Sequence, residues 1–249
     1  DLSGFDHVLQ PNEILTVRRS FQNPISGTND RLRVHFGAVD WSCTVFVNGI
    51  LVGTHAGGFD PFFFDITDVL TQNEEQEIVI SVTDPTDTGD QPVGKQTLNP
   101  FAIQYTAVAG IWQTVWLEPV PITCIERVIC STNIADRSVT VTSYISNASD
   151  NMSVALTCSA NRSVVTQTQC VIRKSQTEIV LNISDLRLWS PTDPFLYDLQ
   201  LQIIDTGGSI IDSVDSYFGA REITCEPDQS GHHRLFLNGE AFFHLGLLD

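Results

Sequence analysis

Residues 37–67, GAVDWSCTVFVNGILVGTHAGGFDPFFFDIT, decide the fold. Apolar and polar residues alternate over 43–47, Asn48-Gly49 interrupts them, and a second β-rich run covers 50–55. Asn-Gly between such runs favours a two-residue turn with positive φ, so the stretch predicts a β-hairpin. Two glycines and a proline follow in Ala56-Gly57-Gly58-Phe59-Asp60-Pro61-Phe62. A chain uses that composition to turn a corner and enter another sheet.

Working outward, runs at 17–21, 32–36, 62–66, 78–82 and 112–117 have the same β-branched and aromatic character and are separated by Gly, Pro, Asn and Asp clusters. The pattern is all-β, with no helical periodicity anywhere. It predicts a jelly-roll β-sandwich over residues 1–119. Pro119-Val120-Pro121 predicts a stiff linker, because proline lacks an N–H and fixes φ. Further runs at 123–131, 139–146, 153–159, 164–171, 178–183, 196–204 and 213–218 predict an immunoglobulin-like β-sandwich over 120–220. Within 221–249, Asn238-Gly239 predicts one more hairpin.

Composition narrows the partners. The chain has 249 residues, 42% of them hydrophobic, enough to build two cores. Thirty acidic against 13 basic residues give a net charge of −17, which repels nucleic acid and anionic membranes alike. No apolar run reaches the roughly 18 residues a bilayer span needs. The expectation is therefore no nucleic-acid and no membrane partner, with a homo-oligomer left open. The first residue is Asp1, without an initiator Met or an apolar leader, which predicts a processed terminus or a fragment.

Six cysteines, at 43, 124, 130, 158, 170 and 225, permit up to three disulfides. Cys158 and Cys170 flank a hairpin and read as a cross-strand pair, while an inter-sheet bridge involving Cys124 or Cys130 is equally open. Asn-x-Ser sequons at Asn147, Asn151, Asn161 and Asn182 predict a glycosylated surface. They favour an extracellular or secretory-pathway location, with a cytoplasmic one as the alternative.

Residues 36–67 also resemble the N-terminal domain of glycoside hydrolase family 2, the β-galactosidase and β-glucuronidase family. The resemblance is carried by Phe36–Trp41, Val47–Gly49, Val52–Phe62 and Asp65–Thr67, then by Gly110–Pro119, and by Trp189-Ser190-Pro191 with Leu196-Tyr197. Leu2-Ser3-Gly4 and Arg18-Arg19-Ser20-Phe21 match the family's opening, and Leu235–Phe243 matches its lead-in to a (β/α)8 barrel. The resemblance implies a jelly-roll sugar-binding-type domain lacking its opening strand, an immunoglobulin-like domain, and a lead-in at 221–249 to a barrel that this chain does not contain. It implies the non-catalytic N-terminal portion of a retaining glycosidase, which orients its own barrel, shapes the substrate entrance and meets carbohydrate through the complete enzyme. The alternative is a free-standing lectin-like module.

Retaining glycosidases work with two carboxylates, placed in this family at the ends of barrel strands, so no catalytic residue is expected here. Asn12-Glu13 and Asn73-Glu74 match the family's Asn-Glu pair but lie in polar stretches and read as surface. The best candidates for substrate binding are Asp84, Lys95 and Gln96, in a loop that the family aims at the mouth of its barrel. Asp84 would accept hydrogen bonds from sugar hydroxyls, and Lys95 would neutralise an acidic group or pair with Asp87 or Asp90. A domain-docking contact and a cation site built from Asp84, Asp87 and Asp90 are the competing readings. Val93 and Ala109 depart from the family's Arg and Ser. Spacing predicts core positions for Trp112 and Trp116, and a structural acceptor at Asp40. Cys225, His232, His233 and His244 match no standard ligand set, so neither metal nor cofactor is expected.

Overall fold

The computed structural model describes residues 7–25 and 30–246. The family match read at residues 2–4, and the last three residues of the lead-in expected over 221–249, lie outside them. The chain divides into two units, residues 1–120 and 121–249. In the first, the strands are β1 (Leu15–Gln22), β2 (Asp30–Phe36), β3 (Val39–Asp40), β4 (Ser42–Val47), β5 (Ile50–Ala56), β6 (Phe62–Asp65), β7 (Glu75–Thr83), β8 (Gln96–Thr97), β9 (Tyr105–Thr106), β10 (Gly110–Ile111) and β11 (Val115–Pro121). The second holds β12 (Ile125–Asn133), β13 (Ser138–Ile145), β14 (Ser153–Ala160), β15 (Ser163–Val171), β16 (Gln176–Asn182), β17 (Tyr197–Ile204), β18 (Ile210–Phe218), β19 (Ile223–Pro227), β20 (His233–Leu237) and β21 (Glu240–Ala241).

The hairpin at Asn48-Gly49 is formed, with φ of 50° and 76° at the two turn residues. It joins β4 and β5 in a four-stranded sheet of order β1-β7-β4-β5, which faces a three-stranded sheet of order β11-β2-β6. Period-two alternation does the sorting. Leu32, Val34 and Phe36 of β2 point inward against Cys43, Val45 and Val47 of β4 and Ile78, Ile80 and Val82 of β7. One polar side chain is sunk beside this core. Buried Gln76 accepts from Asn48 Nδ2 at 2.7 Å and from the Thr71 N–H at 2.9 Å, which ties the hairpin turn to the start of β7.

The second unit is an immunoglobulin-like sandwich of a three-stranded sheet, β12-β13-β16, and a four-stranded sheet, β15-β14-β17-β18. Val139, Val141, Ile179 and Leu181 meet Val154, Leu156, Leu199, Leu201 and Ile203 in its core. Tyr197 is buried there too, and its hydroxyl accepts from the Arg187 N–H at 2.8 Å. A small sheet of order β19-β20-β21 closes on the Asn238-Gly239 turn.

Three expectations are corrected. Pro119-Val120-Pro121 is not a linker but the end of β11; β11 is an edge strand, where a residue without an N–H costs no ladder hydrogen bond. Trp112 and Trp116 are not core residues, being 51% and 44% exposed. They do not share a strand: Trp112 follows β10, and Trp116 lies on β11 with its ring stacked on His35 at 4.8 Å. Finally, no disulfide forms among the described residues. Cys170 stands opposite Val154 and Cys158 opposite Thr166, so the expected cross-strand pair is four residues out of register. Burial pushes the Cys130 and Cys158 thiols up to about 11.

Candidate functional site

Three segments meet where β3 pairs with β10, placing Gly110 opposite Asp40 and Ile111 opposite Val39. Gly110 takes φ +103°, a conformation that favours glycine, and a Cβ there would come within 2.8 Å of a Leu15 methyl. The next residue but one, Trp112, donates its indole N–H to the Gly58 carbonyl at 2.7 Å, and the Gly57 N–H donates to the Trp41 carbonyl at 3.1 Å. The Asp40–Trp41 peptide is cis. Gly58 is packed so tightly that a Cβ on it would sit 2.5 Å from Asp40 Oδ1. Gly58 thus leaves room for the Asp40 carboxylate.

Burial, and then the nearby Asp84 carboxylate, push Asp40 up to about 6. Asp84 directly follows β7, whose last residue, Thr83, pairs with Ser42 two residues after Asp40. It is 5% exposed, and its Oδ1 accepts from the Thr86 N–H at 2.7 Å. Asp84 therefore shapes the turn from within. The Thr86 hydroxyl is buried beside it without a hydrogen-bond partner.

From Asp84 the chain runs through a long loop that is laced to itself. β8 and β9 form a parallel clip, with Gln96 opposite Tyr105 and Thr97 opposite Thr106. Gln91 Nε2 donates to the Thr86 carbonyl at 2.6 Å, and Gln96 Oε1 accepts from the Val108 N–H at 2.7 Å. Asp87 accepts from the Thr97 hydroxyl and the Leu98 N–H, which hold its carboxyl below the usual carboxylate range. Lys95 lies on the surface with its ammonium 5.9 Å from the centre of the Tyr105 ring. It forms no ion pair with Asp87 or Asp90 among the described residues, and no cluster of three or more His, Cys, Asp or Glu side chains there is placed to hold a metal ion.

Along residues 101–108 this loop turns several large apolar side chains outward. Phe101 is 82% exposed, and Ile103, Tyr105 and Val108 are exposed as well. Phe59 lies edge-on to Trp112 at 6.0 Å and extends the same character to the glycine turn. Of the residues singled out in the sequence, Asp84 is therefore buried, Gln96 braces the loop, and Lys95 alone presents its charge to solvent. Sequence reasoning missed the proton-holding surroundings of Asp40 and the apolar group at 101–108. The signal for the second was present as FAIQYTAV, a run rich in apolar residues between turn-forming Asn99-Pro100 and Gly110. Glu13 and Glu74 are surface residues; Glu13 accepts from the Gln10 N–H at 2.9 Å and lies 2.7 Å from His7 Nε2.

Comparison with known proteins agrees with this architecture. Residues 10–111 match the family model of the glycosyl hydrolase 2 galactose-binding domain-like unit, and residues 123–221 match that of glycosyl hydrolases family 2. A beta-galactosidase of Thermoanaerobacter pseudethanolicus is 25% identical over 87% of this chain, and a beta-glucuronidase of Paenibacillus borealis is 24% identical over 92%. The chain spans only 29% and 39% of those two proteins. Among solved structures, an FMN-binding beta-glucuronidase from Facaelibacterium prausnitzii L2-6 superposes with a TM-score of 0.73 at 25% identity, over 94% of this chain and 36% of that one. A beta-glycosidase from Bacteroides vulgatus shares the fold, with a TM-score of 0.72 at 22% identity over 92% of this chain and 28% of its own. With both sandwiches matched, in the family's order, this chain belongs to glycosyl hydrolases family 2 and carries its N-terminal domains.

Proposed function

We propose that the chain is the non-catalytic N-terminal portion of a retaining β-glycosidase, acting on β-galactosides or β-glucuronides once joined to a catalytic barrel. Its role is to orient that barrel and shape the substrate entrance. The observation that carries this reading is the loop from Asp84 to Trp112, braced by its own hydrogen bonds while Phe101, Ile103, Tyr105 and Val108 face outward. Leaving such a group in water is unfavourable, and a packed domain surface relieves it. Asp84 and Gln96 serve this role by fixing the loop, and the exposed Lys95 ammonium is the group available to an acidic or hydroxyl-bearing part of the substrate. The beta-galactosidases and beta-glucuronidases among the relatives support the substrate class. The chain alone should turn over neither aryl β-galactosides nor aryl β-glucuronides. Turnover that disappears on replacing one carboxylate of this chain would overturn the proposal.

A lectin-like module is the second reading, favoured by the half-exposed Trp112 and by the galactose-binding domain-like match. A glycan array separates the two, since submillimolar binding by the isolated chain would favour the lectin. We also propose export through the secretory pathway, because Asn147, Asn151, Asn161 and Asn182 are all exposed. Secretion from a eukaryotic host without any mass lost on treatment with an N-glycan-removing enzyme would count against glycosylation.

A further inference from the structure

We propose that the second unit self-associates through β15, two copies pairing antiparallel to run their four-stranded sheets into one. An edge strand exposes unpaired N–H and C=O groups, and proteins usually guard it with charge, proline, shortness or a bulge. Every other long edge among the described residues is guarded. Arg18 and Arg19 sit on β1, Glu118 with two prolines on β11, Glu126 and Arg127 on β12, Glu178 on β16, and Asp212 and Asp215 on β18. On β5, Gly53 and a register shift break the strand. The least guarded is β15, SVVTQTQCV, nine residues with neither charge nor proline on a chain of net charge −17, whose one register shift lies near its start. Val164 and Val171 on it are exposed.

The geometry selects a second copy as the occupant. A register shift against Cys158 and Ser159 leaves Val165 bulged, so the regular segment is Thr166 to Val171. Two sheets joined antiparallel at one edge keep their core faces on the same side only if the two-fold axis passes through a residue. Centred on Thr168, it pairs Thr166 with Cys170, Gln167 with Gln169, and Thr168 with itself. Thr166, Thr168 and Cys170 oppose Cys158, Leu156 and Val154 of β14, so the core-facing row continues across the joint. Thr168 and the glutamines meet their own kind, Thr166 meets the Cys170 thiol, and no like charges meet in a molecule that otherwise repels itself. Asn161 lies at the preceding turn, beyond the paired segment, so a glycan there leaves it open. The contact is smaller than the roughly 1,200 Å² of a stable interface, which makes the dimer weak and concentration-dependent.

Sedimentation of the whole chain from about 1 µM to several hundred µM should show the mass rising from 27.5 kDa towards twice that value. Thr168→Lys, which sets a charge against itself on the axis, should remain monomeric throughout with an unchanged melting midpoint. Thr168→Val should tighten association several-fold, while Val180→Lys on β16 should leave it unaltered. A wild-type chain that stays monomeric, a dimer that survives Thr168→Lys, a Thr168→Val variant no tighter than wild type, or a dimer abolished instead by Val180→Lys or Phe101→Ser would each overturn the proposal.

Discussion

Replacing Asp40 by Asn should stabilise the first unit at neutral pH and leave it unchanged in acid. Asp40 is held at about 6 against an ordinary 3.8, first by its burial and then by the Asp84 carboxylate. The folded state therefore keeps a proton that the unfolded chain has lost between about pH 4 and pH 6. Stability supplied by that proton is fully present below 3.8 and falls away as pH rises through 6. Holding the proton across that interval is worth at most about 3 kcal/mol. Asp40 is only partly buried, so solvent screening leaves roughly 1–1.5 kcal/mol. An amide cannot ionise, so Asp40→Asn should gain that amount over wild type at pH 7 and nothing at pH 4. Urea unfolding followed by tryptophan fluorescence is a suitable assay, because three of the four tryptophans, Trp41, Trp112 and Trp116, belong to the first unit. The difference between variant and wild type cancels the other carboxylates common to both. A difference that does not vary with pH, or a variant less stable than wild type at pH 7, would refute the reasoning.

Other outcomes follow from the packing. Gly58→Ala drives a Cβ to 2.5 Å from Asp40 Oδ1 and should cost about 1–3 kcal/mol in the same unfolding assay. Gln76→Leu strips the acceptor from Asn48 Nδ2 and the Thr71 N–H and should cost about 2–3 kcal/mol; a loss below about half a kcal/mol would deny that network its role. In the second unit, Leu156→Ala should cost about 3–5 kcal/mol by leaving a cavity in a fully buried site, read from the Trp189 signal. A thiol reagent near pH 8 should label the exposed Cys225 quickly, and Cys130 and Cys158 only on unfolding.

The strands were legible because each is a local pattern. Val45 and Val47 alternate with Thr44 and Phe46, and Asn48-Gly49 marks the turn between strands that then pair in the expected hairpin. Pro119 and Pro121 do mark the division between the two units, but they misled about its form, because an edge position on β11 is a property of the assembled sheet. The tryptophans misled similarly. Trp112 is positioned by a hydrogen bond to Gly58, 54 residues away, which no window of sequence contains. The candidate site was half legible: the resemblance pointed to Asp84 and its loop, but the burial of Asp84, which caps the Thr86 turn, comes from chain segments brought together by folding.

The clip formed by β8 and β9 has an evolutionary consequence. The ties that fix the loop run between Lys95, Gln96 or Asp87 and residues of the same loop, mostly through backbone groups. The outward side chains at Phe101, Ile103 and Val108 lie off the sandwich core. Substitutions there can accumulate with little loss of folding stability, so lineages sharing this scaffold are free to re-cut the face it presents while inheriting the frame unchanged.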